Sequence, residues 1–331
     1  MAKIGLIARR DSTGLGYQTR SYYKHLKPFK TMVIDLSSLN GNKQNLDWYG
    51  NEMVVQGFPN RLQLKEFMRD VEVILTAETP YNYELYTMAK ERGIKVANVI
   101  NWEFFDHIAH PHYPKPDIII MPSVWHLGQA KHWGNLNGVK VEYIHHPVDR
   151  EEIAYRHRTQ GTPYHIAGKP ATQDRNGTWT FMDAFGDGRV ATQSSDLAYH
   201  IRHRFRHSKV YDNITNYSEL YSIGDIMVLP RKYGGNCLPL NEALASGCPV
   251  IMPDIEPNNY LLPKEWLVPA RKVGEFTPRT TIDIYQVNPD DLRNKAIELQ
   301  ANIAKHSLKA NEIADSISWV TLTERYLDIL K

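Results

Sequence analysis

Short apolar runs alternate with stretches of helical spacing along the first half of the chain. The helical stretches are 17–26 and 83–92, and the apolar runs are 3–8, 32–35, 71–75, 95–100, 117–123 and 141–149. Apolar runs without polar alternation are typical of parallel strands that are covered on both faces. Strands separated by helices therefore predict a parallel α/β sheet. Segment 37–60 is polar and aperiodic, and it is predicted to be a long loop.

A charged segment, 151–161, interrupts this pattern, which then begins again. Further apolar runs at 164–167, 209–211, 225–230 and 248–252 predict a second α/β sheet, and helical spacing fills 289–314 and 318–331. A chain of this length also exceeds one typical domain. We predict a first domain over 1–149, a second over 150–316 and a final helix over 317–331.

The stretch 233–254 combines a glycine loop, a helix and a buried strand. The pair Gly234 and Gly235 lets the backbone approach a ligand closely, and the loop amides point towards the helix start. Glu242 falls in the first turns of the helix, and Gly247 supplies the C-terminal cap. A structural helix between two strands has the same outline, so the assignment of a ligand site depends on the residue types.

Three other loops follow predicted strands, at the edge where α/β sheets bind ligands. The loop 168–177 carries Lys169 and Arg175 before a helical stretch. Without a ligand, two such cations would be solvated surface charges. The loop 9–16 carries Gly14 and Gly16, and 101–105 carries one carboxylate, Glu103. A tight turn explains the two glycines equally well, and an exposed surface position explains Glu103 equally well.

Charge and composition exclude several classes of protein. The 331 residues include 39 basic and 37 acidic side chains, a net charge of +2, which excludes a uniformly basic nucleic-acid binder but permits a local basic surface. Cys237 and Cys248 cannot form a disulfide framework, and we expect small buried thiols. Adjacent residues on a strand point to opposite faces, so His145 and His146 predict no metal site. Without a long apolar run or an apolar leader, we expect a cytoplasmic protein with no membrane partner.

Two segments resemble a known family. From Leu238 the chain runs Leu-Pro-Leu-Asn-Glu-Ala, and from Ser246 it runs Ser-Gly-Cys-Pro-Val-Ile. This order resembles the retaining nucleotide-sugar glycosyltransferases of the GT-B fold, and the cations of the loop 168–177 resemble those of the same family. The resemblance implies an α/β chain with two facing Rossmann-like domains, acceptor domain first and donor domain second. It also implies a C-terminal helix that crosses back to the first domain.

The resemblance assigns roles to individual residues. Glu242 would hold the donor ribose, while Lys169 and Arg175 would stabilise the leaving diphosphate. Glu103 would line the reaction centre as a further catalytic residue. The family's first Glu, which touches the sugar, is replaced here by Gly234. The other donor-binding positions would be Gly168, Asn213, Ile214, Gly234, Gly235, Asn236, Cys237 and Leu238.

On the acceptor side, the family's first glycine loop matches a group of residues that follow the first strand. These are Asp11, Gly14, Leu15, Gly16 and Gln18. The resemblance implies a nucleoside diphosphate sugar as co-substrate, with UDP-sugars favoured. It implies neither a bound cofactor nor a metal ion, since cations face the diphosphate.

The opening layout ARRDSTGLGYQTRSYY resembles glycosyltransferases encoded by bacteriophages, which modify hydroxymethylated pyrimidines in DNA or virion proteins. Residues 1–30 contain seven cations against the single carboxylate Asp11, with aromatic residues between them. The cations are Lys3, Arg9, Arg10, Arg20, Lys24, Lys27 and Lys30. Cations and aromatic rings suit phosphate contact and base stacking.

We therefore predict transfer of a hexose or pentose to 5-hydroxymethylpyrimidine in phage DNA, with DNA as the partner. Three other classes stay open at this point. The first is a glycosyltransferase for a virion protein or a small molecule, and the second is a noncatalytic sugar-nucleotide binding module. The third is a phosphorylase or epimerase on the same double-Rossmann frame.

Overall fold

The computed structural model describes residues 2–50, 52–168, 172–214 and 216–331. The chain forms two compact units. The first comprises the chain up to His146 together with Pro278–Thr280 and Leu322–Lys331, and the second comprises Pro147–Thr277 and Thr281–Thr321. The change of unit at Pro147 lies close to residue 150, where the charged segment predicted a boundary.

The first unit contains a seven-stranded parallel sheet with strand order β3-β2-β1-β4-β5-β6-β7. Its strands are β1 (Ile4–Ala8), β2 (Lys30–Asp35), β3 (Met53–Gln56), β4 (Val73–Ala77), β5 (Lys95–Val99), β6 (Ile118–Met121) and β7 (Lys140–Tyr143). Its helices are α1 (Gly14–Leu26), α2 (Ser37–Asn40), α3 (Arg61–Phe67), α4 (Glu84–Lys90), α5 (Phe105–Ala109) and α6 (Leu127–Asn137). The predicted parallel α/β sheet is confirmed.

Three boundaries in the first unit differ from the sequence prediction. Strand β3 lies inside the segment predicted as a long loop. The sequence pattern did not predict it because it is an edge strand in which only Val55 is buried. Strand β7 ends at Tyr143, so His145 and His146 lie beyond it rather than on opposite faces of a strand. Helix α1 begins at Gly14, which places the predicted glycine loop within the first helical turn.

The second unit contains a six-stranded parallel sheet with order β10-β9-β8-β11-β12-β13 and an antiparallel pair, β14 and β15. Its strands are β8 (Pro163–Gly168), β9 (Arg189–Thr192), β10 (Lys209–Tyr211), β11 (Ile226–Val228), β12 (Val250–Pro253), β13 (Leu267–Val268), β14 (Ala270–Phe276) and β15 (Ile282–Val287). The helices that follow β8 are α7 (Thr178–Ala184), α8 (Ser195–Arg204), α9 (Leu238–Ala245), α10 (Asn258–Leu261), α11 (Pro289–Gln300), α12 (Ile303–Ser316) and α13 (Trp319–Ile329).

The predicted second α/β sheet is confirmed, although the predicted apolar runs did not include β9 or β13. The helical pattern over 289–314 is divided between α11 and α12, with Ala301 and Asn302 between them. The hairpin of β14 and β15 was not predicted, because β14 is largely exposed and polar. No described helix is both long enough and apolar enough to span a membrane.

The strand order of each sheet reverses once along the chain. In the first unit the reversal lies between β1 and β4, and in the second it lies between β8 and β11. Loops leaving the carboxyl ends of two such strands diverge to opposite sides, and the crevice between them is where open α/β sheets bind ligands. In the second unit, the strand order therefore predicts a ligand site at the loops after β8 and β11.

Arg158 lies inside the second unit with only 1% of its surface exposed. Its guanidinium group donates hydrogen bonds to the backbone carbonyls of Gly224 at 3.0 Å, Tyr221 at 2.9 Å and Ser246 at 2.6 Å. Ser246 is the C-cap of α9, where unpaired carbonyls and the helix dipole favour a cation. Arg158 thus ties the end of α9 to the segment that leads into β11.

Replacement of Arg158 by methionine removes these donors and keeps most of the side-chain volume. We expect Arg158→Met to lower the free energy of unfolding by about 2 to 5 kcal/mol, because three buried carbonyls lose a charged donor. Urea denaturation followed by circular dichroism measures the change. Lys305→Met, which removes an exposed cation from α12, is the matched control and should cost less than about 0.5 kcal/mol. A similarly small loss for Arg158→Met would show that the buried guanidinium is dispensable.

Candidate functional site

The loops that follow β8 and β11 pack directly against each other. Gly177 has φ 70°, and a side chain there would overlap the carbonyl oxygen of Pro230. The backbone amide of Lys232 donates a hydrogen bond to the carbonyl of Arg175 at 2.8 Å. Only glycine allows this close approach of the two backbones. The two loops therefore form one continuous wall at the point where the strand order reverses.

Two arginines converge on this wall. The Arg175 guanidinium lies 5.3 Å from the centre of the Tyr233 ring, a cation–π contact. Arg231 is buried, and its Nη1 donates to the carbonyl of Asn236 at 3.0 Å. Gly234 has φ 119°, and a Cβ there would overlap an Nη2 atom of both arginines. Gly234 therefore leaves room for both guanidinium groups beside the loop backbone.

A carboxylate, Asp174, occupies the start of α7. Its oxygens accept hydrogen bonds from the amides of Thr178 at 2.9 Å and Trp179 at 3.2 Å, and Lys232 Nζ lies 3.8 Å away. Burial raises the pKa of Asp174, and the backbone hydrogen bond from Thr178 and the charge of Lys232 oppose that shift. Two of the amides at the start of α7 are therefore bound by Asp174.

Glu242 projects from α9 and is held by two tyrosines. Tyr217 Oη donates to both carboxylate oxygens, at 2.9 and 2.8 Å, and Tyr221 Oη donates to Oε2. Burial raises the pKa of Glu242 to about 7, and the hydrogen bonds from Tyr221 and Tyr217 oppose part of that rise. The carboxylate is therefore oriented by fixed donors and titrates near neutral pH.

The remaining donor-side candidates lie in several segments of the second unit. The Gly168 carbonyl accepts a hydrogen bond from Thr192 Oγ1 at 2.9 Å, and Asn213 is exposed. Ile214 packs against the core of the second unit. The other candidates in this group are the buried Gly235 and the partly buried Asn236, Cys237 and Leu238. Lys169 lies outside the described residues.

The hairpin of β14 and β15 supports the glycine loop from one side. The amide of Tyr285 donates to the carbonyl of Lys232 at 3.0 Å, and the Phe276 ring lies 4.8 Å from the ring of Tyr233. Tyr233 also carries the Arg175 guanidinium on its ring. The hairpin therefore fixes the aromatic surface that orients one of the two cations.

The predicted acceptor-side residues have other partners in the first unit. Asp11 is fully buried, pairs with Arg9 and accepts a hydrogen bond from Thr13 Oγ1 at 2.6 Å. Gln18 is buried and donates to Tyr22 Oη at 3.0 Å. Both side chains therefore have partners within the first unit, and their contact with an acceptor stays a prediction.

The other three residues of that group form the start of α1. Gly14 is exposed and Leu15 is partly buried. A Cβ at Gly16 would overlap the Asp11 carbonyl oxygen, so this glycine serves the close packing of the helix start. Glu103 lies in a short 3-10 turn, Trp102–Phe104, directly after β5, and only 4% of it is exposed. The alternative that Glu103 is an exposed surface carboxylate is thus excluded.

The cations of residues 1–30 do not form one exposed surface. Arg9 is buried beside Asp11, and Arg10 is buried beside Glu52, with Nη1 3.2 Å from the carboxylate oxygen. Tyr22 is fully buried, so it is unavailable for base stacking. The interpretation of this segment as a continuous cationic and aromatic DNA surface is corrected for these three residues.

Four residues of the candidate site were not predicted from the sequence. These are Arg231, Asp174, Tyr217 and Tyr221. The sequence positions of two of them could have indicated a role. Arg231 follows a predicted strand, and Asp174 precedes a predicted helix, where a carboxylate can accept hydrogen bonds from the first backbone amides. Among the described residues, no group of three His, Cys, Asp or Glu side chains is placed to hold a metal ion. Both cysteines are free thiols, with Cys248 buried and Cys237 partly exposed.

No family model and no curated protein match the chain. Among solved structures, sucrose-phosphate synthase from Thermosynechococcus elongatus is similar over 99% of this chain and 98% of that one, at 13% identity and TM-score 0.68. HepE of Anabaena, in complex with UDP and glucose, is similar over 100% and 99%, at 11% identity and TM-score 0.67.

The GtfA/B complex is similar over 78% of this chain at 14% identity and TM-score 0.58, and this chain spans only 56% of that longer one. These similarities, with two parallel sheets of seven and six strands, confirm the predicted GT-B fold. At identities this low, the similarity establishes the fold and leaves the activity to be argued from the site.

The raised pKa of Glu242 predicts a pH dependence of stability. The carboxyl group has an ordinary pKa of 4.5 and one of about 7 in the folded protein, so the folded state binds the proton more tightly. Its stabilising contribution is complete below the ordinary pKa and is lost as the pH rises to about 7. Relative to Glu242→Gln, the wild type should lose about 1 to 3 kcal/mol of unfolding free energy across that window. Urea titrations of both proteins near pH 4.5, 6 and 8 measure the difference, and parallel pH profiles would contradict it.

Proposed function

We propose that the protein is a glycosyltransferase that moves a hexose or pentose from a nucleoside diphosphate sugar to a hydroxyl acceptor. One observation carries the proposal. A carboxylate held by two tyrosines lies on α9, the helix that follows the glycine loop, and a pair of converging guanidinium groups lies in the loops after β8 and β11, where the strand order reverses. A nucleoside diphosphate needs both: hydroxyl recognition for its ribose and positive charge for its phosphates.

Glu242 is the group that we assign to the ribose. Its oxygens already accept hydrogen bonds from Tyr217 and Tyr221, which fix the carboxylate plane. A carboxylate oxygen has more than one lone pair, so it can accept further hydrogen bonds from two ribose hydroxyls. The group serves this role when ionised, which places efficient donor binding above about pH 7.

Arg175 and Arg231 are the groups that we assign to the diphosphate, together with Lys169 from the sequence resemblance. When the bond between the sugar carbon and the diphosphate oxygen breaks, its electron pair stays on that oxygen. The added negative charge is stabilised by fixed cations more in the transition state than in the ground state. The contacts of Arg175 with Tyr233 and of Arg231 with Asn236 hold both groups in place before the donor binds.

UDP-sugars are the favoured donors, retention is the favoured stereochemical outcome, and no metal ion is required. The UDP assignment is supported by the resemblance of the motif from Leu238 to Ala243 and by the HepE structure, which contains UDP and glucose. Retention follows from the resemblance alone. Metal independence is supported by the converging cations, which supply the charge that a divalent ion supplies in other transferases.

For the acceptor, we propose 5-hydroxymethylpyrimidine in phage DNA, presented by the first unit. The support is the layout of residues 8–23 and five remaining cations of the opening segment, Lys3, Arg20, Lys24, Lys27 and Lys30. Arg20 lies 5.3 Å from the centre of the Trp48 ring, which gives this segment one cation and aromatic pair suited to stacking. A virion protein or small molecule is the alternative acceptor, favoured by the burial of Arg9 and Arg10.

Glu242→Gln tests the ribose assignment. The neutral amide loses the charge-assisted hydrogen bonds to ribose, so UDP should bind about 1 to 3 kcal/mol more weakly. Isothermal titration calorimetry near pH 8, where Glu242 is ionised in the wild type, measures the change. Unchanged UDP affinity in a variant with a native circular dichroism spectrum would remove Glu242 from the donor site.

Arg175→Ala tests the leaving-group assignment. The kcat of donor hydrolysis, measured by release of nucleoside diphosphate in the absence of acceptor, should fall by about 100-fold. Lys305→Ala, the same truncation at an exposed position of α12, should leave kcat unchanged. Wild-type turnover should persist in EDTA. A complete loss that added metal restores would contradict the role given to the cations, and a protein that binds donor without ever releasing diphosphate would be a binding module.

Radiolabelled UDP-glucose tests the acceptor. Label should appear in a DNA duplex that contains 5-hydroxymethylpyrimidine and not in the matched unmodified duplex. A binding affinity for DNA that falls steeply with salt is expected, with a log-log slope of about -0.9 per neutralised phosphate. Transfer of label to a protein acceptor, with none to hydroxymethylated DNA, would replace the DNA assignment and leave the donor assignment in place.

A further inference from the structure

A pocket of about 970 Å³ lies in the second unit, away from the donor-side wall. Its lining includes the first residues of three neighbouring parallel strands: Pro163 of β8, Arg189 of β9 and Lys209 of β10. The candidate donor site lies at the carboxyl ends of β8 and β11. The two sites therefore occupy opposite edges of the same sheet, and a ligand in one does not touch the residues of the other.

The lining of this pocket is strongly basic. Five basic side chains face one carboxylate, Asp187; they are Arg189, Arg204, Arg206, His207 and Lys209. The run 202–209 reads Arg-His-Arg-Phe-Arg-His-Ser-Lys and contains no carboxylate. In a chain with a net charge of only +2, this concentration of like charge creates a local positive potential.

The fold holds two of these cations in place. Arg189 Nη1 donates to the carbonyl of Ile223 at 2.6 Å. Arg204 pairs with Asp183 at 3.3 Å, and its guanidinium lies 5.1 Å from the centre of the Phe205 ring. Both side chains are thus oriented without a ligand, which lowers the entropy cost of binding one.

Arg206 and Lys209 differ from Arg189 and Arg204 in their side-chain contacts. Both are exposed, and within the described part of the chain neither forms an ion pair. Cations in the last turn of a helix can serve the helix dipole, which accounts for Arg202 and Arg204 at the end of α8. Arg206 and Lys209 lie after the helix, and Arg189 lies on β9, so that explanation does not cover them.

Aromatic groups accompany the charges. Phe205 forms part of the pocket wall. On α8, Tyr199 is 63% exposed and stacks on His203 with 6.1 Å between ring centres. A basic pocket with an exposed ring on the adjoining helix suits a phosphate backbone whose bases can stack.

We propose that this pocket binds the phosphate backbone of a nucleic acid. A single phosphate is satisfied by one or two cations, whereas Arg189, Arg204, Arg206 and Lys209 come from three separate elements and match several phosphates along a strand. The proposal concerns a surface separate from the donor site, and it holds whether or not DNA is the acceptor of the transferred sugar.

The test uses the full chain and fluorescently labelled DNA of mixed sequence, about 20 nucleotides long, as single strand and as duplex. Fluorescence anisotropy gives the affinity from about 50 to 250 mM NaCl. The variant Arg206→Glu/Lys209→Glu is compared with Lys305→Glu/Lys309→Glu, which makes the same change in net charge at exposed positions of α12.

We expect the pocket variant to bind DNA at least tenfold more weakly at about 50 mM NaCl, with a log-log salt slope smaller by about two. The α12 variant should stay within about threefold of the wild type, and both variants should keep the wild-type affinity for UDP. Equal losses in the two variants would show a general effect of net charge and overturn the proposal. The proposal would also be overturned if the pocket variant bound DNA as tightly as the wild type, or if the protein bound heparin but not DNA.

Discussion

The donor-side geometry of the second unit depends on the buried guanidinium group of Arg158. Burial of a charge costs several kcal/mol of desolvation, which hydrogen bonds to the carbonyls of Tyr221, Gly224 and Ser246 offset here. Two of those carbonyls belong to the support of the candidate site. Tyr221 donates to Glu242, and Ser246 ends the helix that carries Glu242. A displacement of Arg158 would therefore reach the carboxylate through its hydrogen-bond donor and through its helix.

The wall formed by the loops after β8 and β11 collects positive charge. Arg175 and Arg231 converge on Gly234, whereas the nearby carboxylate Asp174 accepts hydrogen bonds from backbone amides and lies close to Lys232. Two positive groups placed this close raise the local positive potential, which suits an anionic ligand. Glycine at 234 has φ 119°, a conformation that other residues rarely adopt, and it leaves room for both guanidinium groups.

The two edges of the second sheet carry different chemistry. At the carboxyl edge, two arginines converge in the loops after β8 and β11, and α9 carries a carboxylate with a pKa of about 7, a combination suited to a ligand with both phosphates and hydroxyls. At the amino edge, the basic pocket contains a single carboxylate, Asp187, which suits a ligand that is anionic along its length. In the first unit, Asp11 and Gln18 are buried; Asp11 accepts a hydrogen bond from Thr13 at the start of α1, and Gln18 donates to Tyr22 within the helix.

The sequence by itself determined the two parallel sheets, the glycine loop with α9, and the positions of Glu242 and Arg175, because apolar runs, glycines and helix stops act over a few residues. Tertiary structure alone decided what those residues touch. Tyr217 and Tyr221 reach Glu242 from 25 and 21 residues away, and no local pattern encodes such a contact. The same holds for the burial of Arg158, whose charge is typical of a surface residue until three carbonyls from distant segments meet around it.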